Sequence, residues 1–164
     1  MIASTNPQVI LLLGSKSDAE HRNAISQALD KLGITHVTRI ASAHKVTSYL
    51  LDLMQSYEQD GLPHVYITVA GRSNALSGVV DANSRHPVLA CPPYGDRFGG
   101  MEILSTVRMP GGVAPLLVLE PTAAALAAAK ILGIGSPEIS KRVTELQECT
   151  RQQAIADDQA AQDP

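Results

Sequence analysis

Three short stretches of this chain carry the groups from which chemistry could be built. Ser42-Ala43-His44-Lys45 places a hydroxyl, an imidazole and an ammonium within one turn of chain. An imidazole both takes and gives a proton near neutral pH, and an ammonium is a mobile point charge for a phosphate or carboxylate. His44 is therefore the candidate proton-transfer group, with Ser42 and Lys45 holding what it serves. Gly14-Ser15-Lys16-Ser17-Asp18 puts small residues and hydroxyls at a helix start, where free N–H groups and the helix dipole favour an anion. Asp18 suits sugar hydroxyls, because a carboxylate accepts several hydrogen bonds. The stretch is neither a Walker loop nor a dinucleotide fingerprint. Gly71-Arg72-Ser73-Asn74 offers close backbone approach at Gly71 and a polar contact at Ser73, while Arg72 reads as a residue that holds the loop through a salt bridge. Each stretch alone also has a plainer reading, as a capped helix start or a surface His-Lys pair.

The elements that carry these stretches weigh against the plain readings. Val9–Leu13 is a continuous apolar run, as in a parallel strand buried on both faces. Ser17 and Glu20 read as a capping box, and Ile25, Ala28, Leu29 and Leu32 continue at helical spacing to Gly33. His36–Ile40 is a second strand. Val46, Tyr49, Leu50, Leu53 and Tyr57 form one helical face. Val65–Ala70 is a third strand, followed by a short helix to about Asn83. Pro87–Cys91 is a fourth, running into the turn-rich loop Pro92–Gly100, and Met101–Val107 is a short helix. Ala114–Leu119 is a fifth strand. Pro121 opens an alanine-rich helix that ends at Gly133. Ile139, Val143 and Leu146 mark one side of a C-terminal helix, and the residues from Asp157 onward read as frayed.

Strands alternating with helices predict an α/β, three-layer sandwich with a five-stranded parallel sheet, flavodoxin-like in architecture. One domain over 1–164 is expected, with a core at about 8–134 and a C-terminal helix at about 137–156. In such sheets the site lies beyond the carboxyl ends of the strands, at the switch in strand order. The three polar turns follow strands one, two and three, so they should converge there.

Composition bounds the partners. A net charge of −3 over 164 residues argues against nucleic acid, which needs a basic surface. One Phe, four Tyr and no Trp leave little for base stacking. No run reaches the ~20 apolar residues of a membrane span, and the first eight residues lack a leader pattern. Two cysteines fit a reducing cytoplasm. Cys91 reads as a small buried thiol with no base nearby. His21, His36, His64 and His86 share no ligand spacing and read as structural or surface residues, so neither a metal nor another cofactor is expected.

Taken in order, Gly14-Ser15-Lys16-Ser17-Asp18, Ser42-Ala43-His44-Lys45, Ala70-Gly71-Arg72-Ser73-Asn74, Met109-Pro110-Gly111-Gly112 and the alanine-rich helix before Gly133 make the chain recognisable. It resembles the PurE family, the aminoimidazole ribonucleotide carboxylases of purine biosynthesis. One branch of that family is a mutase that moves a carboxylate from a carbamate nitrogen and typically reads S-A-H-R and G-G-A-A-H-L-P-G. The other takes carbon dioxide directly and typically reads S-A-H-K and A-G-R-S-N. This chain is similar to the second at both places. It departs at Gly111, where that branch more often has serine.

The resemblance implies a carboxy-lyase that carboxylates 5-aminoimidazole ribonucleotide with carbon dioxide, with His44 as proton shuttle. It implies Ser15 and Lys45 on the phosphate, Asp18 on the ribose, and Ser42, Gly71 and Ser73 around the base and carboxylate. It also implies a cytoplasmic homo-oligomer, a tetramer or octamer. The mutase reaction, a related imidazole nucleotide, and a receiver or flavin module of the same architecture are the alternatives. Lys45 and Arg72-Ser73-Asn74 count against the first, Ala70 in place of an acid against a receiver, and the scarcity of aromatics against a flavin.

Overall fold

The computed structural model describes residues 8–95 and 98–162. The readings made for residues 1–7, 96–97 and 163–164 lie outside the described residues.

Strand β1 (Gln8–Leu13) is apolar from Val9 to Leu13 because both its faces are covered. Val9, Leu11 and Leu13 belong to one core and Ile10 and Leu12 to the other, the period-two alternation of a strand. β1 is flanked by β2 (Thr35–Ile40) and β3 (His64–Val69); β4 (Val88–Ala90) and β5 (Leu116–Leu117) extend the sheet. All pairings are parallel and the order is β2-β1-β3-β4-β5. Register matters most for function. Leu13 pairs with Ile40 on one side and Val69 on the other, so three strands end level and their following turns start side by side.

One helical layer holds α1 (Ala19–Lys31), α5 (Pro121–Gly133) and α6 (Pro137–Ala161). The other holds α2 (Thr47–Glu58) and α3 (Ala75–Ala82), with the single turn α4 (Leu104–Val107) against α3. This is the predicted three-layer α/β sandwich. Ala124, Ala125, Ala128 and Ala129 are fully buried, and their small size lets α5 lie close against α1 and the sheet. Larger buried side chains such as Ile25 and Leu29 each contribute about 1.5–3 kcal/mol of apolar burial. Gly33 ends α1 in the left-handed region, and Arg142 of α6 donates to the Leu32 and Gly33 carbonyls at 3.1 and 2.8 Å.

Several local expectations are corrected. The capping box is Ser15 with Asp18, not Ser17 with Glu20, because a 3-10 turn at Lys16–Asp18 precedes α1. In α2 the buried face is Leu50, Leu53 and Met54. Val46 stands before the helix. Tyr49 turns outward and its hydroxyl accepts from the Arg39 guanidinium at 3.1 Å. On α6, Ile139 and Val143 are buried but Leu146 is not. The helix also continues past Asp157 to Ala161, with side-chain bonds four residues apart at Gln153–Asp157 and Gln162–Asp158.

At the opposite end of the sheet from the polar turns, His64 is buried with Nε2 at 2.9 Å from both Asp60 oxygens, and its ring packs edge-on against His86. His36 pairs with Asp30 at 3.1 Å. These histidines have structural partners, as their lack of ligand spacing implies.

Candidate active site

The level strand ends are fastened to one another. Gly14 N–H donates to Val69 O at 2.9 Å, and Ala41 N–H donates to Leu13 O at 2.9 Å. A Cβ on Gly14 would come within 3.2 Å of the Ala70 Cβ, so glycine permits this approach of the first and third turns. A cleft of about 460 Å³ opens above these ends. Ser15, Asp18, Ser42, His44, Lys45, Gly71 and Ser73 all line it, so every site residue predicted from sequence is brought to one place. Gly14, Ser17, Ala43, Ala70, Arg72 and Leu76 complete the wall.

Each turn is held by a different device. In the first, Ser15 Oγ accepts from Ser17 N–H at 3.1 Å, while Ser15 N–H donates to Asp18 Oδ2 at 2.9 Å. The reciprocal box fixes the Asp18 carboxylate through one oxygen and leaves Oδ1 without a partner among the described residues. In the second, the Ser42 carbonyl accepts from Lys45 N–H at 3.3 Å and Val46 N–H at 3.0 Å, which wraps the backbone around His44. His44 and Lys45 are exposed to the cleft and the solvent, and no side chain caps the start of α2 just beyond them.

In the third, Asn74 is the brace. It is buried, its Oδ1 accepts from Ser77 N–H at 3.2 Å, and its Nδ2 donates to Thr106 Oγ1 at 3.0 Å. Its own N–H donates to Ser105 Oγ at 2.9 Å. Arg72, expected to form a salt bridge, forms none among the described residues. It sits instead at φ +57°, in the left-handed region.

Two carboxyl-end features were not found by sequence reasoning. Cys91 does have a base beside it, since His21 Nε2 lies 3.3 Å from its Sγ. Burial pushes the thiol up to about 12, with the Glu120 carboxylate acting in the same direction. Burial also lowers the His21 imidazole, against the opposing pull of Asp18 and Glu120. The pair is therefore a neutral packing contact and not an activated nucleophile. The other feature is the placement of Met109-Pro110-Gly111-Gly112. Met109 packs on α3, its Sδ 3.1 Å from where a Cβ on Gly78 would lie, and none of the four residues lines the cleft.

The cleft thus joins a titratable imidazole, two cations at Lys45 and Arg72, one carboxylate at Asp18 and several hydroxyls. That set suits an anionic, hydroxyl-bearing ligand on which a proton is moved. No group of three or more metal-ligating side chains occurs among the described residues.

The sequence profile of the AIR carboxylase family matches residues 8–153. The chain belongs to the AIR carboxylase family. It is similar to the phosphoribosylaminoimidazole carboxylase of Archaeoglobus fulgidus, at 47% identity across 93% of this chain and 83% of that one. The phosphoribosylaminoimidazole carboxylase of Treponema denticola is 45% identical over 93% of this chain and 96% of its own. The crystal structure of Treponema denticola PurE superposes with a TM-score of 0.94 at 44% identity, covering 96% of this chain and 99% of that one. Family membership spans both the sheet and the cleft of this AIR carboxylase family member.

Proposed function

We propose that this protein reversibly carboxylates 5-aminoimidazole ribonucleotide with carbon dioxide, giving 4-carboxy-5-aminoimidazole ribonucleotide in de novo purine biosynthesis. The observation that carries this reading is the convergence of Ser15, Asp18, Ser42, His44, Lys45, Gly71 and Ser73 on one cleft. The aminoimidazole ring is an enamine, so its ring carbon is already nucleophilic. The ring carbon's electron pair forms the new bond to carbon dioxide, and one C=O pair moves onto oxygen. The tetrahedral carbon still holds its proton. His44 removes it to restore aromaticity and returns it in the reverse direction.

Ser15 and Lys45 hold the phosphate. Asp18 offers the unengaged Oδ1 to the ribose hydroxyls. Ser42, Gly71 and Ser73 line the base and carboxylate region, where excluding water strengthens these contacts. No step calls for ATP, a metal or an organic cofactor. The catalytic unit is a single domain over 1–164. A cytoplasmic homo-oligomer, tetramer or octamer, is part of this reading. No helix among the described residues is long and apolar enough to cross a membrane.

The test is a substrate comparison. Purified protein is given aminoimidazole ribonucleotide with bicarbonate and no ATP, and separately the N5-carbamate isomer. Carboxylated product from the first is the expected result. Turnover of the carbamate alone would reassign the protein to the mutase reaction.

A further inference from the structure

The segment from Ser105 to Ala114 includes the Met109-Pro110-Gly111-Gly112 motif and does not line the cleft. It runs instead along α3, in the same direction, and meets that helix at three points. Thr106 Oγ1 accepts from Asn74 Nδ2 at 3.0 Å, at the cap of the helix. Met109 Sδ lies 3.1 Å from where a Cβ on Gly78 would stand, so a bare glycine in mid-helix seats the methionine. Ala114 N–H donates to Asp81 Oδ2 at 2.7 Å in the last turn. Asn74, Gly78 and Asp81 are four and then three residues apart, which puts them on one face of α3. The segment is therefore a strap fastened along α3 from end to end.

The first fastening bears on the cleft. Asn74 and Thr106 are each 2% exposed, so their bond is shielded from water. Asn74 N–H also donates to Ser105 Oγ at 2.9 Å, and Ser105 in turn donates to the Glu102 carbonyl at 2.7 Å. Just before Asn74, Ser73 O accepts from Ala75 N–H at 3.0 Å, which ties the shape of the turn to the start of α3. That turn is not at rest by itself. Arg72 sits at φ +57°, a backbone that is costly for a residue with a Cβ and persists only where its surroundings over-determine it. The bonds from Ser105 and Thr106 to Asn74 supply the constraint.

We propose that Thr106 is a positioning residue for the reaction: through Asn74 it holds the turn that places Gly71 and Ser73 on the cleft, and the strap along α3 holds Thr106. The inference rests on the carboxylation reading above, in which Gly71 and Ser73 lie at the base end of the nucleotide. Ser15, Lys45 and Asp18 grip the phosphate and ribose from other turns. Loosening the third turn therefore leaves the nucleotide bound and misplaces its reacting ring, a shift of about 1 Å being enough to cost up to about 10²-fold in rate.

The experiment compares wild type with Thr106→Val, Thr106→Ser, Ser105→Ala and Val143→Ala. Thr106→Val keeps the outline of the side chain and removes the acceptor, while Thr106→Ser keeps the hydroxyl. Val143→Ala opens the core under α6, in the opposite helical layer, and serves as the stability control. Turnover of aminoimidazole ribonucleotide with bicarbonate is followed by absorbance, its binding by calorimetry and folding by thermal melts. Thr106→Val should lower kcat by about 10-fold or more, with KM and nucleotide affinity within about 3-fold of wild type. Ser105→Ala should lower kcat in the same manner, and Thr106→Ser should recover to within about 3-fold. Unchanged kcat in folded Thr106→Val, no recovery in Thr106→Ser, or a raised KM at constant kcat would overturn the assignment. So would an equal loss of kcat in Val143→Ala, since general destabilisation would then be the cause. If Thr106→Val does not fold, the half-buried Ser105→Ala decides, and its unchanged kcat overturns the assignment. Wild-type protein that forms no product overturns the carboxylation reading itself, before any variant is compared.

Discussion

His21 Nε2 lies 3.3 Å from Cys91 Sγ, which joins α1 to the end of β4 across 70 positions of sequence. A cysteine beside a histidine invites a nucleophilic reading, and the surroundings decide against it. The thiol is fully buried and pushed up to about 12. Cys149 stands exposed on α6. Native protein treated with iodoacetamide at pH 8 should therefore alkylate at Cys149 and stay unmodified at Cys91, with both modified after denaturation. Mass spectrometry of the peptides reads this directly, and native labelling of Cys91 would contradict the buried-thiol account.

Two imidazoles link stability to pH. Burial lowers His86, with the Glu58 carboxylate opposing it, and burial lowers His21. Both rings stay neutral in the native state where the unfolded chain, with its ordinary value of 6.5, takes up protons. The unfolded state then binds more protons, so stability rises with pH. The contribution is complete above 6.5 and is lost as pH falls below it. Melting temperature should be higher at pH 7.5 than at pH 5.5, and NMR titration should place both ring midpoints below the ordinary value. Midpoints above it would show that the carboxylates outweigh burial.

His44 is exposed and makes no hydrogen bond among the described residues, so replacing it should leave the fold alone. For His44→Asn we expect turnover to fall by about 10²–10⁴-fold, the span of general acid–base catalysis, with nucleotide affinity held within about 3-fold. Steady-state rates and calorimetry on the same preparation separate the two quantities. Near-normal turnover would remove His44 from the proton-transfer role.

Gly14 and Ala70 set the spacing of the first and third turns. Gly14→Ala places a Cβ 3.2 Å from the Ala70 Cβ, tighter than an ordinary contact. The expected cost is about 1–3 kcal/mol of overpacking, together with weaker nucleotide binding as the turns separate. Adding Ala70→Gly should recover most of the loss. A double-mutant cycle in denaturant measures that coupling, and simple additivity would mean the two residues do not meet.

How legible the protein was depends on the range of the forces involved. β1 and β3 could be read because burial on both faces leaves an unbroken apolar run. The cleft could be read because parallel strands that end together bring their turns together. The cap could not. Ser15-x-x-Asp18 and Ser17-x-x-Glu20 both fit the box, and only the extended backbone at Ser15, φ −158° and ψ 170°, decides between them. The conformation of Arg72 was equally hidden, since Gly71 before it and Asn74 two residues after it are the residue types that adopt a left-handed backbone most easily. The meeting of His21 and Cys91 leaves no spacing signal, because tertiary packing alone creates it.

The box formed by Ser15 and Asp18 bears on how such a cleft can change over generations. Both side chains fasten the start of α1 while also lining the cleft. A substitution that retunes recognition there also unlatches the helix, so neither position can drift alone without a fitness penalty from misfolding. Lys45 and Arg72 line the same cleft, and their side chains have no protein partner among the described residues. Adaptation toward a different nucleotide is thus channelled through the two cations first, with the hydroxyl and carboxylate of the box as the inherited part.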